Sequence, residues 1–526
     1  MTDFTAVLVA GEGDDRLSQL GDRVLGHILS FLPSFEAARA AALSRRWRDV
    51  FAAVHTVSLD QRARPVPDGG GFWPVPTEFP PFGDVVSAAL LARQRRGGGV
   101  PLRELRVSFG DLCGLNAALV DQFLSCAMQQ AGDDLHLDLR LRGGTLCSLC
   151  RRRSEPEGDD EPYTEPCATC GGHLHDDEEE NQDTASPASP PADAAAHPRA
   201  IPAPRRVFSC AALRSLCLGP CRLDDLPAAI DLPCLETLLL TGVAGEQVQR
   251  LVTACPRLAD LTLEACARLA TLSVLDSKHL RRLALRCCHA LTAVATDATG
   301  LRVLEYRGVV PAPSFLTMRG PRLISSCTLD FCGGGGDGEE PSDPSELRGF
   351  LELFAGANHL HIKSTRIGSA AAGLPPFTGL RHLELTGISS DDDNTVVPAV
   401  TRILERTPSL ETLSLFFLPE PEKNVCDKDY EATLDLHELR YNRYAALAVP
   451  DGGEIPCLRR RMKEINLVHY QGAVSQRMLA KFLLRSAPLL EELCCALAPG
   501  PLWMQAKLLE EMKDWAVNKS ARIMFV

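Results

Sequence analysis

Leu213-x-x-Leu216-x-Leu218-x-x-Cys221 returns as Leu258-x-x-Leu261-x-Leu263-x-x-Cys266, and again as Leu280-x-x-Leu283-x-Leu285-x-x-Cys288. Looser copies begin at Leu235, Leu301, Leu380 and Leu410, each keeping Leu-x-x-Leu and an apolar or aromatic residue two positions on. The starts at 213, 235, 258, 280 and 301 are 21 to 23 residues apart. The Leu-x-Leu core is the period-2 signature of a short strand with one buried face, and cysteine at the last position fills the turn as a small apolar side chain. One such unit cannot bury its own apolar face, so the spacing predicts units stacked side by side into an array.

The connectors repeat as well. VQRLVTACPRL before Leu258 parallels VTRILERTPSL before Leu410 and LAKFLLRSAPL before Leu489. Each reads as an amphipathic helix stopped by Pro256, Pro408 or Pro488. A strand plus a helix at this period resembles a leucine-rich repeat. The bland alternative is a globular α/β domain that is leucine-rich by chance; seven related starts weigh against it. Pro101–Phe109 and Asp134–Leu141 read as earlier strands, Arg322–Phe331 slips the leucine pattern by one position, and Gly333–Gly336 reads as a loop. Repeat lengths scatter after Phe331.

The N-terminal stretch has helical rather than period-2 patterning. Leu17, Leu20, Val24, Leu25, Ile28, Leu29 and Leu32 make one broad apolar face, which Pro33 ends. A second helix is expected from Phe35 through Leu43, and a third from Ser44, an N-cap, with Trp47 on its first turn. Three short helices are too few to bury that face alone, which suits a partner. The motifs D-R-L-S-x-L at Asp15–Leu20, I-L-S-F-L-P at Ile28–Pro33 and L-S-R-R-W at Leu43–Trp47 resemble an F-box. The chain departs from the family at Leu20-Gly21, where Leu-Pro is usual; glycine there weakens the helix start. The alternative is an ordinary helical hairpin packed on the rest of the chain. The resemblance implies docking on the Skp-type adaptor of cullin ubiquitin ligases through Leu17, Leu20, Val24, Leu25, Ile28, Leu29, Leu32, Pro33, Leu43 and Trp47.

At the other end, INLVHYQG at Ile465–Gly472, KFLL at Lys481–Leu484 and APLLE at Ala487–Glu491 resemble the FBD region that closes many plant F-box proteins. The fold class is therefore α/β, a short three-helix F-box followed by an irregular leucine-rich-repeat solenoid with a disordered insert. The expected divisions are an N-terminal tail at 1–14, the F-box at 15–55, linker and first strands at 56–140, the insert at 141–205, repeats at 206–454 and the FBD-like region at 455–526. The proline-rich stretch Arg64–Phe82 resembles nothing familiar.

The net charge of −13 comes almost wholly from the insert: 12 Asp or Glu and no Lys or Arg lie between Ser154 and Asp183. The remainder is near neutral, so the overall charge says little about a partner, and no nucleic acid is expected. No uncharged run approaches bilayer length, so no membrane partner is expected. The start MTDFTAVLVAGEGDD lacks a basic signal region, which points to the cytosol or nucleus. There the 20 cysteines read as reduced thiols rather than a disulfide framework. Cys147-x-x-Cys150 and Cys167-x-x-Cys170, with 16 residues between, fit a tetrahedral structural zinc site, and His173 or His175 could replace one sulfur. The charged, proline-rich surroundings have no apolar pattern to support it, so a disordered insert stands beside the zinc reading, and no cofactor is required.

No phosphate-binding loop, nucleophile elbow or H-E-x-x-H motif occurs. Cys287-Cys288-His289 and Cys494-Cys495 fall where the repeat expects packing cysteines, His359 and His361 read as a polar strand face, and Asp391–Asp393 as a solvated loop. Residues alternating with the leucines point away from the core, among them Arg282, Arg286, Arg307, Glu264, Glu305, His382, Glu384 and Phe416. The cluster of Arg282, Arg286 and Arg307 with Phe416 is the expected substrate contact, suited to an acidic or phosphorylated segment. The F-box resemblance thus implies a non-enzymatic substrate receptor of an SCF-type ligase that binds the adaptor, through it cullin, and an unidentified target. A ligand-dependent hormone-type co-receptor and a non-catalytic scaffold are the alternatives.

Overall fold

A computed structural model describes residues 19–41, 44–61, 82–96, 100–109, 117–141, 201–223, 226–243, 247–275, 277–297, 299–321, 323–331, 344–389, 395–419, 438–450 and 455–525. Two compact units divide the chain: 1–142 with 204–216, and 143–203 with 217–526.

The first unit opens with three helices, α1 (Asp22–Leu29), α2 (Ser34–Ala41) and α3 (Arg45–Ala52). Gly21 caps α1 without a side-chain hydrogen bond, as expected of the departure at that position. The missing cap is offset by Arg46 of α3, whose Nε donates to Asp22 at 2.8 Å and whose Nη2 donates to the Leu20 carbonyl. Ser44 caps α3 by accepting from the Trp47 N–H at 3.2 Å. Gly26 allows α1 to approach the end of α3, because a Cβ there would stand 3.2 Å from the Ala53 carbonyl oxygen. Behind these helices come β1 (Thr56–Asp60), α4 (Phe82–Arg96), β2 (Leu102–Phe109), α5 (Ala117–Gln130) and β3 (Ala131–Leu141). The three strands are parallel, in order β1-β2-β3. Arg93 of α4 is buried without a carboxylate. It donates to the Val54 carbonyl at 3.0 Å, to Gln130 at 2.8 Å and to the Val100 carbonyl, fastening α3, α4 and α5 together.

The division falls on β5 (Leu213–Gly219), the first full copy of the repeat. The second unit also pairs two short strands, β4 (Ile201–Pro202) and β6 (Cys221–Arg222). Its repeat strands are β7 (Thr237–Thr241), β8 (Asp260–Glu264), β10 (Arg282–Arg286), β12 (Val303–Gly308), β14 (Ser326–Phe331), β15 (His359–Arg366), β16 (His382–Ile388), β17 (Thr412–Leu418), β18 (Glu464–Tyr470), β19 (Glu492–Leu497) and β20 (Arg522–Phe525). They lie side by side in that order, every pair parallel. The repeat leucines are the core: Leu261, Leu263, Leu283, Leu383, Leu413 and Leu415 are all buried, each worth roughly 1.5–3 kcal/mol.

Helices Val248–Thr253, Val396–Glu405 and Val474–Ser486 stand at the three predicted connectors. Three neighbouring connectors differ. They hold β9 (Thr271–Val274), β11 (Ala293–Asp297) and β13 (Leu316–Arg319), which form a second parallel sheet in the order β13-β11-β9. These connectors are short and alternate apolar residues with threonine or serine, a period-2 pattern that favours a strand over a helix. The leucine slip at Arg322–Phe331 does not disturb the ladder. Cys327 pairs with Leu304 and Leu329 with Tyr306, so Ile324-x-x-Cys327-x-Leu329 occupies the repeat positions.

Candidate functional site

The apolar face of the N-terminal helices splits in two. Leu25 and Leu29 are 1% and 3% exposed and build the module's own core with Ala37, Val50 and Val54; Leu20, Trp47 and Phe51 pack against them. Leu25 and Leu29 are therefore not surface contacts, and Leu20 and Trp47 are only partly available. The helical period explains it: a face wide enough to include all seven positions has an inner edge on α3 and an outer edge in water. Val24, Ile28 and Leu32 are exposed, as is Pro33. Phe31, which the sequence reading passed over, is 75% exposed, the largest apolar side chain of this surface. Its signal was available in ILSFLP, but it lies past the last residue of α1 and off the helical stripe. Leu17 and Leu43 lie outside the described residues.

Arg282, Arg286 and Arg307, expected with Phe416 as the substrate contact, each stand against an acid of a neighbouring strand. Glu305 of β12 takes Arg286 as a fork, with Nε at 2.6 Å and Nη2 at 3.1 Å, and Arg282 at 3.0 Å. Burial pushes the Glu305 carboxyl up, but the hydrogen bond from Arg286 and the charges of Arg286, Arg282 and Lys363 hold it below its ordinary value. Arg286 also stands 3.7 Å from Glu264, and Arg307 3.4 Å from Asp330. The three arginines are thus neutralised by acids on adjoining strands. Phe416 lies on β17, five strands from β10 in the ladder order. At about 4.8 Å per strand it is some 24 Å away and joins no patch with them. Its ring neighbour is His361, with centroids 6.0 Å apart.

Beside Phe416, His359 and His361 converge on Glu384. His359 Nε2 is 3.1 Å and His361 Nδ1 3.4 Å from that carboxylate, while His361 Nε2 is 2.8 Å from Thr386 Oγ1. Burial, only partly opposed by Glu384, pushes the His361 ring down to about 4. The unfolded chain takes up this proton below about 6.5, whereas the folded chain resists until about 4, so stability falls as pH drops through that window. The urea midpoint of His361→Gln is expected to fall less between pH 7 and pH 5 than that of the parent chain. An equal fall in both would refute this role.

Among the described residues no cluster of three or more metal-ligating side chains could hold an ion, and no helix is long and apolar enough to cross a membrane. Cys147, Cys150, Cys167 and Cys170, with His173 and His175, lie outside the described residues. Cys287 and Cys495 are buried packing residues, and burial pushes the Cys495 thiol up, away from a nucleophile's range.

Comparison with known proteins finds similarity over two segments. Residues 17–55 match the F-box domain, and residues 193–315 match the leucine-rich repeats of the FBD-associated F-box protein At5g56370. The F-box/LRR-repeat protein At2g42730 of Arabidopsis thaliana is 21% identical over 489 residues, covering 91% of this chain and 90% of that protein. The F-box/LRR-repeat protein At4g14103 of the same plant is 34% identical over 132 residues, 25% of this chain and 32% of that one. The FBD-associated F-box protein At5g18780, also from Arabidopsis thaliana, is 45% identical over 53 residues, 10% of this chain and 12% of that one. The chain is thus similar to F-box domains over residues 17–55 and to FBD-associated leucine-rich repeats over residues 193–315, and it is similar to an F-box/LRR-repeat protein along nearly its whole length.

Proposed function

We propose that the chain is the substrate-recognition subunit of an SCF-type cullin ubiquitin ligase. Its F-box docks the Skp-type adaptor and, through it, cullin, while the repeat sheet takes a target protein. The observation that supports this most is the cluster of exposed apolar side chains Val24, Ile28, Phe31 and Leu32 within the segment matched as an F-box. Single exposed leucines are ordinary, but four apolar residues within nine positions at one helix end are a surface that gains by being covered. In this reading the chain makes and breaks no bond itself; it raises the concentration of target beside the ubiquitin-charged enzyme.

Affinity capture with the full chain and with a chain lacking residues 15–55 tests the reading. Adaptor and cullin are expected only with the full chain, and targets with both. A full chain that captures neither adaptor nor cullin would overturn it. Ubiquitin transfer to a captured target, in a reconstituted ligase, separates a receptor from a scaffold.

A further inference from the structure

The rim of the repeat sheet carries a second surface, distinct from the neutralised arginines of its face. Arg381, Glu411, Lys463 and Glu491 each stand one place before their strands, β16, β17, β18 and β19. Their backbones are locked in a row: the Glu411 N–H donates to the Arg381 carbonyl at 2.9 Å, Lys463 to Glu411 at 2.9 Å and Glu491 to Lys463 at 2.7 Å. The helix Pro456–Arg460 ends beside this row and brings Arg460 and Arg461 to it. A cleft of about 280 Å³ opens there, lined by Glu411, Arg460, Arg461, Lys463, Leu489 and Glu491.

The charges in this cleft are unequal in their freedom. Glu411 is engaged by Lys463 at 2.9 Å and Arg381 at 3.8 Å. Arg460 and Arg461 are exposed, and their side chains have no hydrogen bond or ion pair among the described residues. Leu489, 51% exposed, adds an apolar side chain to the lining. Arg461 also adds its charge to those that hold the Glu411 carboxyl below its ordinary value. Two guanidinium forks whose hydrogen-bond donors are unused among the described residues, beside an apolar side chain, suit anionic groups set on a peptide that also carries an apolar residue. A nucleic acid strand fits poorly, since the apolar element of the lining is Leu489 and no aromatic ring lines the cleft for a base to stack on.

We propose that this cleft captures an acidic segment of a partner protein, with Arg460 and Arg461 holding its carboxylate or phosphate groups and Leu489 an apolar neighbour. The inference narrows target capture, as read above, to one place on the repeats. Its test is run without adaptor, so a failure here leaves F-box docking untouched.

Fluorescence anisotropy with the full chain would use three labelled peptides of equal length: one with aspartate and leucine, one with phosphoserine and leucine, and one uncharged. Binding of at least one anionic peptide is expected, weakening with salt, with none for the uncharged peptide. The double variant Arg460→Glu/Arg461→Glu should weaken it at least tenfold at unchanged circular dichroism, while Arg348→Glu, in an exposed pair with Glu352 that does not line the cleft, changes nothing. Tighter binding of either anionic peptide supports the proposal and identifies the anion. Equal binding by the double variant, no binding by the parent chain at about 1 mM, or preference for a single-stranded oligonucleotide would overturn it.

Discussion

The double substitution Ile28→Asp/Phe31→Asp is expected to lower affinity for a Skp-type adaptor at least a hundredfold while leaving thermal unfolding of the chain unchanged. Both side chains are exposed, so aspartate there costs the fold little. In a covered interface each contributes roughly 1.5–3 kcal/mol, and together they exceed the roughly 2.7 kcal/mol that a hundredfold represents. Burying two carboxylates without partners adds to the loss. Leu29→Asp would look equivalent in sequence, yet Leu29 is part of the core with Val50 and Val54. That variant should lose binding by unfolding the module, visible as lost helical signal. Calorimetric titration beside circular dichroism separates the two, and an Ile28/Phe31 variant that still binds at parental affinity would remove this surface from the docking site.

A large effect on stability is expected from Glu511→Ala. Arg477 is only 2% exposed, and Glu511 meets it with two hydrogen bonds, 3.0 Å from Nε and 2.6 Å from Nη2. Removing the carboxylate leaves a buried guanidinium with the Asn442 carbonyl at 2.7 Å and the Tyr441 ring at 4.7 Å. Losing one partner of a buried pair costs about 3–5 kcal/mol, and the two remaining contacts put this case near the lower end, about 3 kcal/mol. Chemical denaturation measures it. Because much of the loss is the stranded charge, the double variant Arg477→Met/Glu511→Met should recover a large part. A loss below about 1 kcal/mol for Glu511→Ala would mean the charge finds water.

Local periodicity made the repeats and the F-box legible, because each rests on a pattern within a single element: Leu-x-x-Leu-x-Leu for a strand buried on one face, and the stripe from Leu20 to Leu32 for a helix. What escaped depends on neighbours distant in sequence. Nothing in the stripe separates Leu29 from Ile28, since the burial of one is decided by Val50 on another helix. Arg282, Arg286 and Arg307 read as free cations until strand register brings Glu305, Glu264 and Asp330 beside them. The same register carries Phe416 away. Arg477 and Glu511 are 34 residues apart and each looks like a solvated helix residue. The strands β9, β11 and β13 escaped for another reason: an expectation of helices, drawn from three connectors, was extended to shorter ones that lacked the pattern.

The arginines locked to Glu305 and Asp330 have a consequence for selectivity. A ligand that offers only negative charge must compete with carboxylates already in place, so that part of the sheet should ignore simple polyanions and respond weakly to ionic strength. What seats there will be chosen by its contour against a pre-set mosaic of alternating sign, and a rival differing only in overall charge gains no entry.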